Sequence, residues 1–163
     1  MDLSSVTPQT VGLWIQGITI VGSAGGVILL ILANRGIARR KATLDHIILC
    51  EINPYLSELR RDFVVLKNAG NLEQFASRDK ISEKEALTIR KTINQHEIVG
   101  IGIKTGTFDG KLYKLWYRST VVADWIAVKR FVSGYQHEHH PDLFCNFERI
   151  AKDWADERER KHI

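Results

Sequence analysis

Lysine and arginine are missing from the first 34 residues of this 163-residue chain, and no charged side chain of either sign lies between Leu3 and Asn34. A bilayer core about 30 Å thick needs about 20 helical residues at ~1.5 Å each, so the charge-free run is long enough to cross one. A cleaved signal peptide is excluded twice over. It needs a positive leading segment, and its apolar core is only about 7–15 residues long. A buried helix of a soluble core fits poorly as well, because Gly22, Gly25 and Gly26 fall within five residues, a density that suits lipid better. The sequence predicts a short extracytoplasmic N-terminus over residues 1–10 and one uncleaved transmembrane helix over 11–34.

Cysteine is scarce too. Cys50 and Cys145 are the two present, and no zinc pattern can be built from two isolated thiols. There is no strand-like alternation of useful length, no internal repeat, and no serine, cysteine or paired-carboxylate arrangement of the kind an active site needs. The expectation is an all-α, non-enzymatic protein with no cofactor and no metal.

What is present begins with charge. Arg35, Arg39, Arg40 and Lys41 follow the apolar run at once, which by the positive-inside rule puts the N-terminus outside and everything after Arg35 in the cytoplasm of a bacterial inner membrane. A reducing compartment agrees with two free thiols. These four residues are expected to lie on the membrane surface, where anionic headgroups attract them. Without them the 23 basic residues fall to 19, against 19 acidic ones. The net charge of +4 is therefore a juxtamembrane feature, and a general DNA-binding surface is not indicated. Gly22 and Gly26 form a small-xxx-small pair that would let two spans approach and give a homo-oligomer; glycine is also simply common in membrane helices.

Beyond the basic cluster, Leu44, Ile48, Ile52, Tyr55, Leu59, Phe63 and Leu66 recur at helical spacing, predicting a stalk over 35–69 that Pro54 kinks or breaks. Gly70 is a helix stop. The cytoplasmic domain, 70–163, is expected to hold about five helices, counting the stalk. Ser82 and Glu85 have capping-box spacing ahead of a helix that Gly106 ends, and Asp109 caps the next. From Leu112 to Val132 apolar residues nearly encircle the axis, so that helix should be central. Pro141 suits the first turn of a last helix.

The densest chemistry lies in NQHEIVGIGIKTGTFDGKLYKLWYRS, residues 94–119. Its glycines lack the order and GK[ST] ending of a phosphate loop and sit where close helix packing would use them. His96 and Glu97 begin a HExxH pattern, but Gly100 holds the second histidine position, so a hydrogen-bonded histidine and a paired glutamate are the better reading. His137–Glu138–His139–His140 precedes Pro141 in a loop, where adjacent residues rarely all face one ion. The remaining lead is Lys104, Lys111, Lys114 and Arg118 beside Tyr113 and Tyr117. Cations next to aromatic faces can hold phosphates while a base stacks, although a solvated helix edge over an aromatic core explains the same letters.

Residues 39–154, with RRKATLDHI and the stretch from Asn94 to Trp125, resemble a bacterial family of short membrane-anchored proteins described as a domain of unknown function, found among accessory and prophage genes. Its telling letters here are Asn94, Glu97, Gly102, Gly106, Asp109, Trp116, Arg118 and Trp125. The resemblance implies a bacterial, single-pass, cytoplasm-facing protein and no particular activity. The expected function is an anti-phage effector whose domain senses a small anionic ligand, such as a cyclic oligonucleotide, and acts on the bilayer. The competing expectations are a superinfection-exclusion protein or a scaffold docking a protein partner, and a metal enzyme built on His96, Glu97 and the histidine cluster.

Overall fold

A computed structural model describes residues 8–80, 82–138 and 140–163. Among them there is no strand. The helices are α1 (Pro8–Ile52), α2 (Pro54–Ala69), α3 (Lys84–Thr105), α4 (Gly110–Glu138), α5 (Cys145–Trp154) and α6 (Glu157–Arg160), with two 3₁₀ turns at Leu72–Phe75 and Arg78–Lys80. The chain divides into two compact units, Met1–Ala38 and Arg39–Ile163.

The first unit is the apolar part of α1. Its described side chains are exposed on every side, Leu13, Trp14, Ile18, Val21, Leu29 and Ile31 among them. A helix hydrophobic all round has no soluble face. Among the described residues α1 is the one helix long and apolar enough to cross a membrane. Gly22 and Gly26 are exposed, and a Cβ built on either meets nothing within 4 Å.

The second unit begins at Arg39, so the expected stalk over 35–69 is not a separate element. Ile47 on α1 and Phe63 on α2 are buried in the same core as α3, α4 and α5, and Cys50 and Leu59 are buried as well. The break at Pro54 makes this possible. Asn53 is extended (φ −75°, ψ 117°), its Oδ1 accepts from the Leu56 amide at 3.2 Å, and Pro54 opens α2 where no amide is needed. The chain therefore restarts in a new direction and turns its apolar face inward.

α4 is the centre from Val121 onward: Val121, Val122, Val128 and Phe131 have no exposed surface. Its first two turns are one-sided, with Leu115 86% and Trp116 64% exposed, so the encircling apolar pattern does not mean burial there. Gly106 ends α3 at φ +75°, a conformation that favours glycine, and Asp109 Oδ1 then accepts from the Lys111 and Leu112 amides to start α4. Gly100 is where α3 meets α5. A Cβ there would stand 2.7 Å from the Asn146 carbonyl oxygen.

Two expected helix starts move. Ser82 does not cap α3, because the Glu83 amide closes a turn onto the Lys80 carbonyl at 2.9 Å and leaves Glu83 itself as the extended N-cap residue. Pro141 lies in a turn, and α5 starts only at Cys145. Phe144 between them is left-handed (φ 62°) with its ring buried, which separates the turn from the helix.

Candidate functional site

The basic-aromatic edge expected at the start of α4 is taken apart by the fold. Tyr113 and Tyr117 do share a face and stack at 4.9 Å, but that face points inward and both rings are buried. Tyr117 donates to Glu51 and accepts from Arg60 at 2.9 Å, while Arg60 also holds Glu51 at 3.0 Å. Burial, then the bond to Glu51, pushes the Tyr117 phenol up to about 12. Burial raises Tyr113 as well. Neither ring can stack a ligand base, which corrects that part of the expectation. Arg118 is also committed: it donates to the Trp154 carbonyl at 3.0 Å and pairs with Glu159 and Asp156, pinning α6 to α4. Lys104 and Lys111 stay exposed, and Lys114 is half-buried.

Beneath the tyrosines lies a cavity of about 40 Å³, lined by His46, Cys50, Arg60, His96, Tyr117 and Asp124 among others. That volume holds a few waters at most, whereas small-molecule pockets run to about 300–1,000 Å³. Asp124 organises one wall. Its Oδ1 accepts from Lys67 at 2.7 Å and its Oδ2 lies 3.1 Å from His96 Nε2. Burial alone would raise the Asp124 carboxyl, but the hydrogen bonds and charges of His96 and Lys67 outweigh it and hold the group below its ordinary value. His96 also stacks on Phe147 at 4.5 Å. It is a bonded core histidine, as its spacing suggested.

On the opposite wall, Cys50 Sγ lies 3.6 Å from His46 Nε2. A nucleophilic thiolate needs its own pKa lowered beside a protonated imidazole. Here burial raises the thiol and lowers the imidazole, so both are held neutral. The pair is packing chemistry.

Glu97, the other half of the expected His–Glu pair, caps α5 from across the interface. Its carboxylate accepts from the Phe147 amide at 2.8 Å and from Asn146 Nδ2 at 2.6 Å. Among the described residues no three His, Cys, Asp or Glu side chains converge as a metal site. Of the His137–His140 cluster, His139 lies outside the described residues, and His140 Nδ1 accepts from the Asp142 amide of its own loop at 3.2 Å.

Sequence reasoning overlooked Asp124, Lys67, Glu51 and Arg60. The signal for Asp124 was there: a single carboxylate in VVADW, on the helix already read as central. A buried acid calls for cationic or hydrogen-bonding partners. Those partners lie 57 and 28 residues away, and sequence spacing cannot pair them.

The surface is more informative than the interior. The Asp109 amide donates to Thr43 Oγ1 at 2.8 Å, and Tyr117 reaches Glu51; the residue offset is 66 in both cases. The constant offset means that α1 and α4 run in the same sense past these two contacts. Their outer sides carry Leu44, Ile48, Leu49 and Ile52 from α1, and Leu115 and Trp116 from α4, all exposed. Hydrogen bonds from Tyr117 and Arg60 hold the Glu51 carboxyl below its ordinary value.

Residues 6–154 match the family model DUF4760, a domain of unknown function. The chain belongs to the DUF4760 family. No curated protein and no solved structure matches it. In this DUF4760 chain the match takes in the apolar part of α1, the parallel α1–α4 pair and the cavity, and stops at Trp154 in the last turn of α5.

Proposed function

We propose that this DUF4760 chain is a non-catalytic docking protein held at a membrane by the apolar part of α1. Its helical domain would take an apolar helix face of a partner protein along the α1–α4 seam. The observation that carries the reading is the pair Leu115 and Trp116, 86% and 64% exposed on a helix that is otherwise the centre of the core. Large exposed apolar groups in a contiguous strip mark interaction surfaces, and tryptophan is prominent among residues that dominate binding energy.

The ligand-sensor alternative is weakened from two sides. A cyclic oligonucleotide needs stacking faces, and Tyr113 and Tyr117 are inside the core. At that site it also needs volume, and the cavity below the tyrosines offers about 40 Å³. Orientation with the domain in the bacterial cytoplasm rests on the absence of Lys and Arg before Arg35 and the four positive residues after it. Phage defence or superinfection exclusion at the inner membrane is the setting we propose, and loss of phage resistance on deletion of the gene is its check.

A photo-crosslinking amino acid at position 116, in the full chain in cells, tests the docking surface. An adduct with a distinct membrane-associated protein, lost when Leu115→Ser is added, is the expected result. An adduct with a second copy alone makes the seam a dimer interface and overturns docking of another protein. No protein adduct overturns the surface itself.

A further inference from the structure

We infer that the end of the domain adjoining the apolar run binds the phosphates of anionic lipid headgroups through cations gathered from three helices. The inference rests on reading α1 as a membrane anchor. Arg39, Arg40 and Lys41 open the domain's share of α1. The α3–α4 turn is fastened to them: Arg39 donates to the Phe108 carbonyl at 3.4 Å, Arg40 Nε lies 3.5 Å from the Asp109 carboxylate, and Thr43 accepts from the Asp109 amide. That turn is bracketed by Lys104 in the last turn of α3 and Lys111 in the first turn of α4, both exposed. Five cations therefore ring one end of the domain, and two of them are supplied by residues more than sixty positions away from the juxtamembrane cluster.

Charge pairing distinguishes these residues from the cations that hold the helices to one another. Arg60, Lys67 and Arg118 each have a carboxylate within 4 Å. Among the described residues Arg39, Lys41, Lys104 and Lys111 have none, and Arg40 has only Asp109, which also caps α4. Asp45 on α1 is the next acid along the chain and lies in no ion pair. Five cations against the one Asp109 carboxylate leave the collar net positive.

Free phosphate and lipid headgroup share the chemistry that such a collar recognises. Connectivity favours lipid. Arg39 lies five residue steps beyond Asn34, about 8 Å as helix and at most about 18 Å extended. Wherever the domain leans, Arg39 and the turn fastened to it stay within reach of the interface. Each Lys or Arg near an anionic surface contributes a factor of about five in binding, so Lys104 and Lys111 together are expected to contribute about 25-fold.

The test uses the full chain in nanodiscs of phosphatidylcholine with and without phosphatidylglycerol, comparing wild type with Lys104→Gln/Lys111→Gln. Native mass spectrometry reads the retained lipids, and hydrogen exchange reads the amides of residues 102–112. Both lysines are exposed and unpaired, so the variant should keep the wild-type thermal midpoint; should it not, Lys111→Gln alone carries the test with about a fivefold effect. The expected result is preferential retention of phosphatidylglycerol by wild type, falling about 25-fold in the double variant, with slowed exchange in anionic discs alone. Equal retention by the two proteins, or equal protection in both discs, overturns the inference. The same protection produced by inorganic phosphate in zwitterionic discs moves the site to a soluble anion and also overturns it. Alkaline carbonate extraction of native membranes separates the two levels. Release of the chain removes the anchor and the collar together, whereas retention without lipid preference removes the collar alone.

Discussion

Replacing Asp124 by asparagine tests the polar wall of the core. The carboxylate is 3% exposed and holds Lys67 at 2.7 Å and His96 at 3.1 Å. Asparagine keeps its size and removes its charge. Breaking a buried ion pair by removing one partner costs about 3–5 kcal/mol. The Lys67 side chain is 25% exposed and can turn toward water, which argues for the bottom of that range and somewhat below it, about 2–4 kcal/mol. For a unit of this size the thermal midpoint should fall by roughly 8–16 °C. Tryptophan fluorescence follows the unfolding, since Trp125 packs edge-on against Phe147 at 5.2 Å. Adding Lys67→Met should recover part of the loss, because the stranded cation is then gone. The pH dependence has a definite sign. Asp124 is held below its ordinary pKa in the fold, so its contribution is complete above the unfolded carboxyl value of about 3.9 and is lost as pH falls through the lower folded value. Wild type should lose stability below about pH 4, and Asp124→Asn should lack that component. A cost under about 1 kcal/mol, or an unchanged acid limb, would refute the account of a paired buried carboxylate.

Two further outcomes probe the packing. Gly100→Ala puts a methyl group 2.7 Å from the Asn146 backbone oxygen, between two helices that cannot yield cheaply, and should cost about 1–3 kcal/mol in thermal unfolding. Gly36→Ala, with nothing within 4 Å, should be neutral or slightly stabilising and serves as its control. The thiols should separate in alkylation. Cys145 is exposed and reacts in the native protein, whereas Cys50 is buried with its pKa raised and reacts only on unfolding. Equal native rates would contradict the burial assigned to Cys50.

The helices were legible because their ends are local events. Asn53–Pro54, Gly70, Gly106 and Asp109 act through their own backbone or through amides two or three residues away, and each stands where the sequence put it. Ser82 and Pro141 were misplaced for the same reason in reverse. Their neighbours, the Lys80–Glu83 turn and the left-handed Phe144, answer to contacts that spacing does not record. The stalk was misjudged because a helix break at Pro54 reads identically whether the chain continues outward or folds back. Burial of Leu59 and Phe63 decides it, and burial is a tertiary fact.

The edge of α4 shows where periodicity runs out. Lys111, Lys114 and Arg118 share one side of the helix and Tyr113 and Tyr117 another, while Leu115 and Trp116 are neighbours in sequence that point about 100° apart. Sequence spacing gives these angular groupings but not which group meets the core. Apolarity would have turned Leu115 and Trp116 inward. The fold instead buries Tyr117, whose hydroxyl end is satisfied there: it meets Glu51 and Arg60, which the restart at Pro54 brings face to face. A buried tyrosine hydroxyl is stabilised by such partners. The polar trio at the α1–α2 corner therefore fixes the rotation of α4, and that rotation leaves Leu115 and Trp116 outside. Disabling the trio with Glu51→Gln should then reach beyond the corner and alter the accessibility of Trp116 to a soluble quencher. Unchanged Trp116 quenching in a folded Glu51→Gln protein would mean that the docking face is set by the rest of the α4 packing.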